Sequence, residues 1–148
     1  MNIELRPCTE DDYDFCFEVK TAAMRPHIEP HWGWDEAVQA SIHREHWNDR
    51  PWSLILLEGD KIGTVSIYDR RADTVRFGEF YLFPDFQRKG IGSYILGEFL
   101  ADCDARGYTV ELEYLKWNPV GSLYKRHGFV TYDENDIHYF LRRMPTVD

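Results

Sequence analysis

Between Phe80 and Gly92 the chain reads FYLFPDFQRKGIG, an apolar run followed at once by a basic, glycine-bearing stretch. Arg88 and Lys89 supply two cations, Gln87 an amide donor, and Gly90 and Gly92 a backbone that can approach a ligand closely. Pro84 and Asp85 mark a turn where a strand stops. A helix beginning at Ile91 leaves its first N–H groups, through Gly92 and Ser93, without intrahelical partners at the positive end of the helix dipole. Such a terminus holds phosphate oxygens, and the expected cargo is a pyrophosphate. The GxxxxGK[ST] string of a Walker loop is absent, and only the GxG of the dinucleotide pattern GxGxxG occurs. The plainer alternative is a helix that begins with glycines and displays solvated cations.

A second block follows. Thr109 to Leu115, TVELEYL, alternates apolar and acidic residues and reads as a strand. Asn118 and Pro119 then open a short helix through Leu123 and Tyr124 that stops before Gly128 and Phe129. The pattern Q-x-x-G-x-G after an apolar strand, followed by NPVGSLYKRHGF, resembles the acetyl-CoA loop and the N-P-A-x-x-L-Y-x-x-x-G-F signature of the GNAT superfamily of N-acetyltransferases. The resemblance runs from about Phe77 to Phe129 and is thin upstream.

The resemblance implies an α/β fold with a mixed, largely antiparallel sheet and helices on both faces. It also implies direct transfer of an acetyl group from acetyl-CoA to a primary amine in a ternary complex. Gln87, Arg88, Lys89, Gly90, Ile91, Gly92 and Ser93 would then surround the pyrophosphate. Leu82 and Phe83 match the residues that pair with the pantetheine arm where the strand splays from its neighbour, and a backbone N–H in this stretch would be the oxyanion donor. Tyr124 matches the tyrosine that protonates the leaving thiolate, and a hydroxyl titrating near pH ~10 is protonated for that task at neutral pH. Tyr124 also fits a core aromatic at helical spacing. Asn118 matches the residue that orients the cofactor arm and equally fits a helix cap.

The general base is open. The position where many family members carry an acid is occupied by Arg76. Glu79 on the same strand is the nearest carboxylate, Glu113 on the next strand is a second candidate, and a water chain is compatible with the reaction class. Acceptor recognition is expected in MRPHIEPHWGWDE, Met24 to Glu36, where His27, Glu29, Trp32 and Trp34 offer aromatic and anionic contacts for a cationic amine. Two prolines and a glycine read there as a loop, which could instead close the core with its tryptophans. His43 and His46 share a helix face, but HExxH is absent and no metal is expected. His127 reads as a helix-end cap.

The elements that must position these residues fit one domain spanning 1–148. The 148 residues are 43% hydrophobic and 16% aromatic, ample for one core. Seventeen basic and 26 acidic residues give a net charge of -9, which disfavours nucleic acid and anionic membrane as partners. A small-molecule amine or a protein amine is the expected acceptor, and a homodimer is compatible with the family. A noncatalytic acyl-CoA-binding sensor or interaction module is the alternative. Three cysteines without C-x-x-C spacing, and a start MNIELRPC without signal-peptide character, point to a cytoplasmic protein.

Alternation predicts a first strand over Asn2–Pro7, then a helix capped by Thr9, carrying Phe15, Val19, Ala22 and Ala23 inward and broken at Pro26. A second helix is expected from about Asp35 to Trp47 with Ala37, Val38, Ile42 and Trp47 inward. Strands follow at Ser53–Glu58, Lys61–Asp69 and Thr74–Phe83, then a helix over Ile91–Arg106 ending at Gly107. Val130–Asp133 and His138–Arg142 read as a closing hairpin.

Overall fold

The computed structural model describes residues 1–146. Their strands form a seven-stranded sheet in the order β1-β2-β3-β4-β5-β7-β6. The strands are β1 (Ile3–Pro7), β2 (Ser53–Leu57), β3 (Asp60–Arg71), β4 (Thr74–Leu82), β5 (Thr109–Leu115), β6 (Val130–Glu134) and β7 (His138–Arg143). The helices are α1 (Tyr13–Trp32), α2 (Glu36–Asp49), α3 (Ile91–Arg106) and α4 (Gly121–Arg126). The sheet is largely antiparallel, with β4 and β5 parallel, so the expected α/β class is the observed one. The chain groups into two compact units: Met1–Ser66 with Glu79–Gln87, and Ile67–Gly78 with the residues from Arg88 onward.

In the first unit β1 pairs with β2 from Ile3–Leu57 to Pro7–Ser53, and β2 pairs with β3 across a bulge at Ile55/Leu56. Cys16, Trp52, Leu54 and Leu56 form a core cluster against Phe15, Trp47 and Tyr81. Full burial of an aliphatic side chain such as Leu54 contributes roughly 1.5–3 kcal/mol.

Two sequence expectations fail here. Pro26 does not break the first helix: α1 runs through Pro26 and Pro30 to Trp32. Each proline removes an i→i−4 bond and costs about 3 kcal/mol in a helix interior. Buried Met24 and Ile28 flank Pro26 on the face that continues Cys16, Val19 and Lys20, and tertiary packing of that face overrides the local penalty. On α2, Asp35 is the cap and accepts from the Val38 N–H at 3.2 Å, as expected. Ala37 and Val38, however, are exposed, and the buried residue is His43. Its ring stacks on Phe17 at 5.1 Å and meets Tyr13, Trp47 and Trp52 within an aromatic cage.

The second unit is built on β5 and β7, antiparallel from Val110–Arg143 to Leu115–His138, with β6 on the far side of β7. The Asn135 side-chain oxygen accepts from the N–H groups of Ile137 and His138 at 2.8 and 2.7 Å, closing the expected hairpin. Helix α3 occupies its expected span and buries Ile91, Ile95, Leu96, Leu100 and Cys103. Phe77 and Phe99 meet at 5.1 Å, and Arg143 grips Asp104 of α3 through two bonds of 2.8 and 3.0 Å. Buried Glu111 receives Arg70, Arg71 and Arg142. Burial pushes its carboxyl up, but the hydrogen bonds from Arg71, Arg142 and Arg70 outweigh it and hold the group at about 2.

Candidate active site

The basic loop leaves β4 through a short 3-10 turn at Pro84–Phe86. Gln87 does not reach outward: its side-chain amide donates to the Leu82 carbonyl at 2.9 Å and ties the loop to the strand end. Arg88 and Gly90 both have positive φ, 61° and 80°, and Gly90 is the left-handed N-cap of α3. Left-handed residues alternating with ordinary ones turn successive N–H groups toward one side, the geometry of an anion nest. The first intrahelical bond recorded at this end is Tyr94 N–H to the Gly90 carbonyl, which leaves the N–H groups of Ile91, Gly92 and Ser93 ahead of the helical ladder. A Cβ built on Gly90 would meet nothing within 4 Å, so glycine serves here for its conformation and for the room it leaves a ligand. Arg88 and Lys89 are both exposed beside it.

In the same unit, the first turn of α3 is tied to α4. The Ser93 hydroxyl lies 3.3 Å from His127 Nε2, and His127 Nδ1 donates to the Leu123 carbonyl at 2.9 Å. With Nδ1 committed to a carbonyl, Nε2 of the neutral ring is the accepting nitrogen for Ser93. Tyr124, on α4, is buried, with Tyr114 at 5.9 Å and Phe129 at 5.7 Å between ring centres. The helix begins at Gly121 rather than at Asn118: the Asn118 side-chain oxygen accepts from the Val120 N–H at 3.1 Å and shapes the turn before it. A Cβ on Gly121 would lie 2.2 Å from the Tyr114 hydroxyl, so only glycine lets α4 approach β5 this closely.

Strands β4 and β5 pair at Thr74–Thr109, Val75–Val110 and Arg76–Glu111, and both continue beyond that register, to Leu82 and Leu115. Glu79 sits in β4 with φ 46°, a costly conformation for a residue with a side chain. It is held from three sides: Arg50 Nη1 reaches its Oε1 at 2.7 Å, the Tyr81 hydroxyl donates to Oε2 at 3.0 Å, and the Thr64 hydroxyl donates to its carbonyl at 2.9 Å. The Phe83 N–H is bonded to the Ile62 carbonyl at 3.1 Å, and the Phe83 ring meets Phe15 edge-on. Alternation along an extended strand turns the Leu82 N–H to the opposite edge. Glu113 accepts from Arg76 at 2.9 and 2.6 Å.

The acetyltransferase (GNAT) domain family matches residues 48–131. The chain belongs to the GNAT acetyltransferase family. No curated protein sequence matched it. Among solved structures, PaiA N-acetyltransferase from Thermoplasma acidophilum in complex with coenzyme A is 20% identical with TM-score 0.77, over 97% of this chain and 99% of that one. An Escherichia coli N-acetyltransferase named for the alanine of a ribosomal protein is 14% identical with TM-score 0.67, over 99% and 96%. A spermidine N-acetyltransferase chimera of SpeG from Vibrio cholerae and hSSAT is 15% identical with TM-score 0.67, over 98% and 96%. At these identities the likeness concerns the fold.

In this GNAT chain the segment expected to contact the acceptor is helical up to Trp32, and only Gly33 to Asp35 lie outside a helix. Glu29 is ion-paired with Arg25 at 2.7 Å, and the Trp34 N–H donates to Glu36 at 2.8 Å while Arg25 lies over its ring at 5.6 Å. Trp32 is 55% exposed, and His27 is half-buried with its ring pushed down by burial. A cation of the chain itself thus occupies the place at Trp34 where a cationic acceptor was expected. Among the described residues no group of three or more His, Cys, Asp and Glu side chains has the geometry to hold a metal ion, and no helix is long and apolar enough to cross a membrane. Sequence reasoning missed Arg50 and Tyr81, which hold Glu79, and the Ser93–His127 link. Only the HGF end of the second block hinted at His127.

Proposed function

We propose that this GNAT protein transfers an acetyl group from acetyl-CoA to a primary amine, directly and without a covalent enzyme intermediate. The observation that carries the reading is the nest at the start of α3, with left-handed Arg88 and Gly90, open space at Gly90 and two exposed cations. These features fit a pyrophosphate. When bound, acetyl-CoA supplies an activated acetyl thioester.

The N–H groups of Ile91, Gly92 and Ser93, with Arg88 and Lys89, neutralise the phosphates, and Gln87 fixes where the loop begins by holding Leu82. Because the Phe83 N–H is committed to Ile62, we assign the oxyanion contact to the Leu82 N–H and leave Phe83 to packing. Asn118 shapes the turn into α4, and the Tyr124 hydroxyl delivers a proton to the departing sulfur. Both oxygens of Glu79 already accept hydrogen bonds, so we assign it to holding the kinked strand and let water carry away the amine proton. Trp32 is the exposed aromatic proposed to meet the acceptor, with His27 and Glu29 on the same helix. The cytoplasm is the proposed compartment.

The acceptor is a small-molecule amine or a protein amine; the names of the solved relatives include one of each, spermidine and a ribosomal protein. The test is paired: acetyl-CoA affinity and turnover for the wild type and Tyr124→Phe. Retained affinity with lost turnover supports the enzyme. Binding without turnover in the wild type, for any amine offered, indicates a noncatalytic acyl-CoA module instead.

A further inference from the structure

We propose that Cys8 and Cys16 are a hydroperoxide-reactive thiol pair, in which Cys8 is oxidised first and Cys16 then closes on it as an intramolecular disulfide. The two sulfurs are 3.7 Å apart, in contact before any oxidant arrives. Their environments differ in the way a reacting and a resolving thiol must. Cys8, directly after β1, is half-buried and lines a cavity of about 220 Å³ together with Thr9, Arg50 and Trp52. Cys16, on α1, is fully buried in the core cluster of Trp52, Leu54 and Leu56. A small oxidant therefore reaches Cys8 and is kept from Cys16.

Hydrogen bonding reinforces the asymmetry. Either sulfur can donate across this contact; with Cys16 donating, the Cys8 thiol is lowered below its usual range, against burial and the charge of Asp12, and Arg6 and Lys61 add to the lowering. The same bond, with burial, pushes the Cys16 thiol up. The thiolate is the nucleophile, so the more accessible sulfur is also the more reactive one.

The step balances as follows. The Cys8 thiolate attacks the terminal oxygen of the hydroperoxide, the O–O bond breaks, an alcohol (or water, from hydrogen peroxide) leaves, and Cys8 becomes a sulfenic acid. The Cys16 sulfur then attacks the Cys8 sulfur, the S–OH bond breaks, and the hydroxyl leaves as water with the Cys16 proton. Two thiols and one hydroperoxide give one disulfide, one alcohol and one water. Cys103 in α3 lies far along the sequence, and burial pushes its thiol up to about 11, so it serves as an internal control.

The full chain is exposed to stoichiometric hydrogen peroxide, denatured in N-ethylmaleimide and digested with trypsin. Arg6 precedes Pro7, which blocks cleavage, so Met1–Lys20 carries both cysteines in one peptide. The expected peptide takes up no maleimide and is lighter by two hydrogen atoms, while the Cys103 peptide is fully alkylated; dithiothreitol restores both Met1–Lys20 thiols. With dimedone present, Cys16→Ala accumulates the Cys8 sulfenic acid adduct and the wild type does not. Two maleimides on Met1–Lys20 after peroxide, oxidation of Cys103 at the same rate, or equal dimedone adducts in wild type and Cys16→Ala would each overturn the proposal. The wild-type measurements stand even if Cys16→Ala folds poorly.

Discussion

On the proposed mechanism, Tyr124 and Gly90 separate binding from chemistry. Tyr124→Phe removes one hydroxyl from a buried ring and leaves its contacts with Tyr114 and Phe129 in place. Loss of a general acid lowers kcat by about 10²–10⁴-fold, and the Kd for acetyl-CoA measured calorimetrically is expected to stay unchanged. Gly90→Asp acts the other way. Its Cβ meets no neighbour, but φ 80° strains any side chain there by about 1–3 kcal/mol, so a thermal melt checks that the variant is folded; in the folded variant a carboxylate in the nest repels phosphate and acetyl-CoA binding is lost. Retained binding in Gly90→Asp removes the loop assignment. Glu79→Gln leaves Arg50, whose side chain is 16% exposed, without its buried counter-charge and lowers the thermal midpoint. If Glu79 only holds the strand, the shape of the kcat/KM pH profile is unchanged in that variant; a vanished acidic limb makes Glu79 the base.

At the scale of elements, the aromatic cage around His43 and the arginines around Glu111 each contribute to acid sensitivity. Burial, reinforced by the charge of Lys20, pushes the His43 ring down from 6.5 to about 4, so the folded state favours the neutral ring. Stability from this group is present above pH 6.5 and is lost as the pH falls toward 4, where the unfolded chain takes up a proton first. His43→Phe is expected to flatten urea-measured stability between those limits. Glu111 contributes at lower pH: its carboxyl sits at about 2 against an ordinary 4.5, so its contribution is present above 4.5 and is lost on acidification toward 2. Glu111→Gln removes the charge-assisted bonds from Arg70, Arg71 and Arg142, whose side chains are partly solvated, and is expected to cost about 1–3 kcal/mol. Elements whose signals are local were legible in the sequence, as α3 between Gly90 and Gly107 and strand β5 show. The run of α1 through Pro26 was not, because the burial of Met24 and Ile28 that accompanies it is a property of the folded chain and leaves no local signal to set against two prolines. At the candidate site, the loop stood out by its glycines and cations and Tyr124 only through the resemblance to the family signature, whereas Arg50 on Glu79 joins residues 29 positions apart and leaves no periodic trace.

For the whole molecule, β3 and β4 contribute residues to both compact units, and we propose one domain, for which a single cooperative unfolding transition is the expected outcome of a urea melt. The chain carries a net charge of -9, so its field disfavours anions generally, and the proposed nest beside Arg88 and Lys89 is the local exception. The same field favours a cationic acceptor, and its capture should weaken as salt is raised. The most direct measurement is CoA release from acetyl-CoA across a panel of amines, polyamines, amino acids and peptides, at mildly alkaline pH so that acceptors are partly neutral. The account predicts release that depends on one acceptor class and disappears in Tyr124→Phe. Tight acetyl-CoA binding with no acceptor-dependent release from any member of the panel would contradict it.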